Sequence, residues 1–113
     1  MQRTLFLTSL VTALSAAAAA AQAPTSHAPP PVPLVEETPG LAAHAAISPA
    51  IARQTALRRI PSGQIVKAEL EKEHGRVVYS FDLKVPAKPG IEEVQVDASS
   101  GKVVSVEHEE EPV

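Results

Sequence analysis

Between Gln64 and His108 apolar and polar residues alternate in runs of strand length. Two clusters of turn residues break the pattern, Glu73-His74-Gly75-Arg76 and Asp97-Ala98-Ser99-Ser100-Gly101-Lys102. A period of two sends one side of each run to a core and the other to solvent. If His74-Gly75 forms a two-residue type I′ turn, Glu73 pairs with Arg76. Counting back, Leu70 faces Tyr79, Ala68 faces Phe81 and Val66 faces Leu83, all on one side of the hairpin. The other side then receives Glu71 opposite Val78, Glu69 opposite Ser80, and Lys67 opposite Asp82. The last is an opposite-charge pair worth about 0.2–1 kcal/mol. The third strand, Ile91 to Asp97, directs Val94 and Val96 inward; the fourth, Lys102 to His108, directs Val104 and Val106 inward. Pairing Asp97 with Lys102 mismatches those faces by one residue, so a bulge is expected with Gly101 in the left-handed region.

Ahead of the strands the period changes. Ser48 is a natural N-cap and Pro49 suits the first helical position. Ile47 is placed to staple onto Ala52. Ile51, Ala52, Thr55, Ala56 and Ile60 recur at helical spacing, with Leu57 on the margin and Arg53, Gln54 and Arg58 facing away. Pro61-Ser62-Gly63 ends this helix, and Arg58 and Arg59 sit in its last turn, where the macrodipole favours cations. Upstream, residues 22–46 hold Pro24, Pro29, Pro30, Pro31, Pro33 and Pro39 with no apolar period. They read as a disordered Pro/Ala-rich linker, better suited to spacing than to occupying an aromatic groove. Residues 1–21, with Arg3 followed by an apolar stretch ending in alanines, describe a signal peptide. Cleavage fits after Ala21 or after Ala23, and the residue following the bond favours Ala21, because Pro24 would follow Ala23. The stretch is short for a spanning helix, so no membrane span is expected once the leader is removed.

Composition narrows the classes. There is no cysteine, which removes disulfides, thiolate chemistry and a lipidated cysteine. Without Arg3, 9 of the 10 Lys and Arg residues remain against 13 Asp and Glu, a formal charge of −4. That balance gives no reason to bind phosphate backbones. Beyond the leader only Tyr79 and Phe81 are aromatic, too few for base stacking, so no nucleic-acid partner is expected.

In this order the residues resemble the PepSY family. The resemblance lies in Ile47-Ser48, Ala56-Leu57, Ile60-Pro61-Ser62-Gly63, Val66 to Leu70, Gly75, Val78-Tyr79-Ser80-Phe81, Val96-Asp97-Ala98 and Gly101 to Val104, spanning about residues 47 to 108. It implies an α+β domain over 47–109, one N-terminal helix packed on one face of a four-stranded antiparallel sheet, followed by an acidic tail at 110–113. It further implies an extracytoplasmic setting, periplasmic or secreted, and a role in binding or restraining exported peptidases. The family brings no catalytic residues to carry over. No protease domain follows in this sequence, so action in trans is the expectation.

The candidate chemistry is sparse. Asp97 suits an Asx-type cap of its own turn more than a ligand site, and Tyr79 shares the core side with Phe81. His108 lies in Glu107-His108-Glu109-Glu110-Glu111, where imidazole beside carboxylates suits zinc, copper or nickel. Glu107 and Glu109 would fall on the opposite strand face, however, and no second histidine has ligand spacing. No catalytic residues, cofactor site or dedicated metal site are assigned; the chain lacks HExxH, G-x-S-x-G and phosphate-loop motifs. An enzyme is therefore not expected. One helix covers one side of the sheet, and the sequence register leaves Ile65, Val78 and Val103 on the bare side as a contact surface for an exported peptidase or another envelope protein. The alternative is an envelope metal-binding or stress-related protein that uses His108 and the acidic C-terminus.

Overall fold

A computed structural model describes residues 30–110. The expected leader with its cleavage point, the start of the expected linker and the end of the acidic tail lie outside these residues. Seven elements follow in order: β1 (Leu34–Glu36), a 3₁₀ turn (Leu41–His44), α1 (Pro49–Arg59), β2 (Gln64–Glu73), β3 (Arg76–Lys84), β4 (Ile91–Asp97) and β5 (Val103–Glu109). The strands form one five-stranded sheet in sequence order. β1 runs parallel to β2 and the remaining pairs are antiparallel.

The expected four-stranded antiparallel sheet is thus corrected to a mixed sheet of five. Part of the expected linker forms β1, in register with Ala68, Glu69 and Leu70. Three residues between Pro33 and Pro39 carry almost no strand signal, and proline flanks suit only an edge. What orders the segment is satisfaction of its polar groups. The Glu36 carboxylate accepts from the Gly40 and Ala42 amides at 3.0 and 3.1 Å. Glu37 accepts from the Lys72 amide at 3.0 Å, and Leu34 packs against the core.

α1 starts as its sequence requires. Ser48 Oγ accepts from the Ile51 amide at 3.3 Å and Pro49 opens the first turn, a cap worth about 1 kcal/mol. The helix lays Ala52 and Ala56 on the sheet, both fully buried. Ile51 is half exposed instead of packed. Arg53, expected to face away, lies over the Phe81 ring at 5.9 Å and donates to the Val32 carbonyl. Two alanines bring the backbone too close for branched neighbours, and a long flexible stem fills the flank.

Beneath the helix sit Ala68, Leu70, Tyr79, Phe81, Leu83, Val94, Val96 and Ala98. Tyr79 and Phe81 stack with centroids 6.2 Å apart. The Tyr79 hydroxyl donates to the Ile47 carbonyl at 2.7 Å, tying the sheet to the entry of α1.

The β2–β3 hairpin keeps the expected pairing from Glu73–Arg76 through Lys67–Asp82. His74 and Gly75 both adopt positive φ, +49° and +80°, as a type I′ turn needs. The register then shifts, and Ile65 instead of Val66 pairs with Leu83. Val66 is the bulged residue and stands 45 % exposed. A second shift falls in β5. Gly101 does adopt a positive φ of +76°, yet Asp97 still donates to Lys102 across the turn at 2.8 Å, and the extra residue is Val104, between the Val96–Val103 and Gln95–Ser105 pairs. Val103 and Val106 face the core and Val104 does not. The parity mismatch was real; the sheet absorbs it one step inside the strand.

Candidate functional site

Both bulges redistribute the expected contact surface. Ile65 and Val103, expected on the bare side, pack against the core beside α1. Of the three, Val78 alone lies on the uncovered side, opposite Glu71 on β2 and Asp97 on β4. It is nevertheless 1 % exposed. Val104 occupies this side in the place expected of Val103.

These residues floor a groove of about 460 Å³ across the uncovered face, with Val78 and Val104 below and Glu73, Arg76, Glu93 and Glu107 around them. Ser80, 5 % exposed, lies on this face opposite Glu69 on β2 and Gln95 on β4. Gln95 bridges strands, donating to Glu71 at 3.3 Å and accepting from Ser105 at 3.0 Å. The face is polar, acidic and internally bonded, with a small apolar floor.

Its electrostatics follow from register. Asp82, Glu93 and Glu107 stand directly opposite one another on β3, β4 and β5. The carboxylates of Glu93, Glu107 and Glu109 come within 4.8 Å of each other. Burial, reinforced by Glu109, Asp82, Glu71 and Glu107, pushes the Glu93 carboxyl up to about 7. Burial also raises Asp82 and Glu71.

At the turn end, Asp97 behaves as a cap. One carboxylate oxygen accepts from the Ser99 and Ser100 amides at 2.7 and 3.0 Å, and the other lies 3.3 Å from Arg76 Nη1. The amides of Ser100 and Ser99 hold its carboxyl below the usual range. Its backbone neighbour, Ala98, accepts from the Ala46 and Ile47 amides. This corner therefore docks the segment before α1 onto the sheet.

His108 lies on the opposite side from Glu107 and Glu109, as strand parity requires. Its Nδ1 is 2.8 Å from Glu92 Oε1, which also receives Lys88 Nζ at 2.9 Å. Hydrogen bonds from Lys88 and His108 hold the Glu92 carboxyl low. His108 Nε2 is 3.5 Å from Glu110. The imidazole is engaged in a cross-strand contact with Glu92, and the carboxylates gathered at one point are Glu93, Glu107 and Glu109. The acidic row escaped the sequence reading because β3 and β4 were not registered there. Extending Lys67–Asp82 by one strand would have found Glu93.

One helix on one face of a mixed sheet, with the opposite face bare, defines a small α+β module. Consistent with this, the family model described as "Peptidase propeptide and YPEB domain" matches residues 46–107. The chain belongs to the PepSY family. No curated protein and no solved structure matches it. Among the described residues no helix is long and apolar enough to cross a membrane.

Proposed function

We propose that this chain is an exported, non-enzymatic binding module that engages an extracytoplasmic peptidase, or another envelope protein, in trans. The family match over residues 46–107 carries this reading. The leader pattern supports export, and the uncovered sheet face offers the contact surface, with Val78 and Val104 at its floor. Rigidity favours the role: a bonded sheet face loses little entropy on docking.

The test mixes the mature chain with exported metallopeptidases and measures residual activity and complex formation. Inhibition or a complex at micromolar concentration, lost in Val104→Lys, supports the reading. Undiminished activity with no complex refutes the peptidase role. Val104 suits the test because it is 39 % exposed, whereas a charge at Val78 would be buried.

The alternative, an envelope metal-binding or stress-related protein using His108 and the acidic C-terminus, has weaker support, since the His108 ring is already paired with Glu92. Calorimetric titration with zinc, copper and nickel separates the two. Heat that survives deletion of residues 107–113 removes the tail from consideration.

A further inference from the structure

The register places acids where an antiparallel sheet tolerates them least. Across four strands one row reads Lys67, Asp82, Glu93, Glu107. Like charges directly opposite destabilise a strand pair, and here two such pairs are consecutive. Glu109 closes on the same point, so three carboxylates share a space less than 5 Å across, their atoms within 4.8 Å. Ionising a carboxyl this close to two others costs free energy, because like charges disfavour the charged form.

The surrounding charges do not dissolve this arrangement. On β2, Lys67 reaches Glu69 at 3.1 Å, while Glu71 adds to the negative potential at Glu93. Along β3, Asp82 faces Glu93 directly and Lys84 stands on the same side by parity. At the far end of the groove Arg76 is 3.3 Å from Asp97, and His74 is 3.9 Å from Glu73. The net balance around Glu93 is anionic, and burial pushes its carboxyl up to about 7.

What the cluster joins is the edge of the sheet. Glu93 belongs to β4; Glu107 and Glu109 belong to β5. β5 pairs only with β4 among the described residues and reaches the core through Val103 and Val106, both partly buried. A bulge at Val104 already interrupts its ladder. Repulsion among these carboxylates therefore acts on an edge strand that is held along one side only.

We propose that the Glu93 carboxyl, held against Glu107 and Glu109, fastens β5 to β4 in mildly acidic surroundings and loosens this edge strand as it ionises. Protonated, Glu93 donates a carboxyl-to-carboxylate hydrogen bond to β5. Ionised, it leaves mutual repulsion across the two strands. Among the described residues the sheet from β1 to β3 holds no cluster of three carboxylates this close and stays closed. Because Glu107 and Val104 of β5 also border the groove, its wall becomes a pH-dependent element.

The experiment is a carboxyl-detected NMR titration of the mature chain, with amide hydrogen-exchange protection measured at about pH 5.5 and about pH 8.5, either side of the expected titration. Protection factors are corrected for intrinsic exchange. The expected result is a Glu93 carboxyl titrating near neutrality, with β5 protection falling on the order of tenfold, the factor one pKa unit is worth. Protection in β2 and β3 should hold. Glu93→Gln should abolish the pH dependence at β5, and Glu69→Gln, on the same face but outside the cluster, should retain it. Glu107→Gln provides a second test should Glu93→Gln fold poorly. Ordinary carboxylate titration of Glu93, an equal loss of protection in every strand, or a β5 response that persists in both cluster variants would overturn the proposal.

Discussion

Replacing Phe81 with alanine tests whether this domain stands on a single aromatic anchor. Phe81 is fully buried, pairs with Ala68 across β2 and Val94 across β4, and stacks on Tyr79 with ring planes 6° apart. Burial of such a ring contributes about 1.5–3 kcal/mol by area alone. The truncation also leaves a void that two alanines above and one beside it cannot refill, bringing the expected cost to about 3–5 kcal/mol. That total already includes the Tyr79 stack and the Arg53 guanidinium over the ring, each worth about 1 kcal/mol. A single core this small, with no cysteine to staple it, supplies about 3–5 kcal/mol in all. Phe81→Ala should therefore be largely unfolded without denaturant. The assay is urea denaturation followed by far-ultraviolet circular dichroism, with Val66→Ala as control. Val66 is apolar and in the same sheet but bulged outward, so its truncation should cost below about 0.5 kcal/mol. A folded Phe81→Ala with a midpoint equal to that of Val66→Ala would refute the packing argument.

Three further outcomes follow from the same geometry. The bulges predict an inversion within adjacent pairs: Ile65→Ala and Val103→Ala should each cost about 1–3 kcal/mol, and Val66→Ala and Val104→Ala under about 0.5 kcal/mol, read as urea midpoints. Tyr79→Phe leaves the Ile47 carbonyl without the hydroxyl's donation and should lower stability by about 1 kcal/mol, while weakening exchange protection at Ala46 and Ile47, which dock on Ala98. Asp97 and Glu92 have depressed carboxyls, so their contribution is present above their ordinary values of 3.8 and 4.5 and is lost as pH falls through the lower folded values. Glu93 has a raised carboxyl, so its contribution is present below 4.5 and lost as pH rises to about 7. Thermal midpoints should consequently peak in mildly acidic buffer and decline on both sides; a midpoint that climbs steadily from acid to pH 8 would contradict this assignment.

Periodicity and turn chemistry made much of the fold legible. His74-Gly75 specified the hairpin register because a two-residue turn admits one pairing, and Ser48-Pro49 specified the start of α1. Parity also revealed that one residue too many lay between β4 and β5. It could not say where the surplus would go. Gly101 was the obvious host because it tolerates positive φ, and it does adopt one, but the turn closes with Asp97 opposite Lys102 and leaves Val104 as the extra residue. In β2 the adjacent apolar residues Ile65 and Val66 offered either parity, and the pairing of Ile65 with Leu83 near Gly63 settled it. An added Cβ at Gly63 would lie 2.7 Å from Leu83, which shows how tightly that corner closes. β1 was illegible for a different reason. Its strand character comes from β2's edge and from Glu37 accepting from the Lys72 amide, both distant in sequence, while Glu36 caps the turn that follows. The same holds for the acidic row: each glutamate looks like ordinary solvated strand until three registers are stacked.

The proposed partner contact of this PepSY module lies on the uncovered sheet face. The most direct measurement is a chemical-shift map of the isotopically labelled mature chain titrated with an exported metallopeptidase. Perturbations should concentrate at Val78, Gln95, Val104 and Glu107, with the outward residues of α1, Ile51 and Leu57, unmoved. Perturbations confined to α1, or none at micromolar concentration, would contradict this placement.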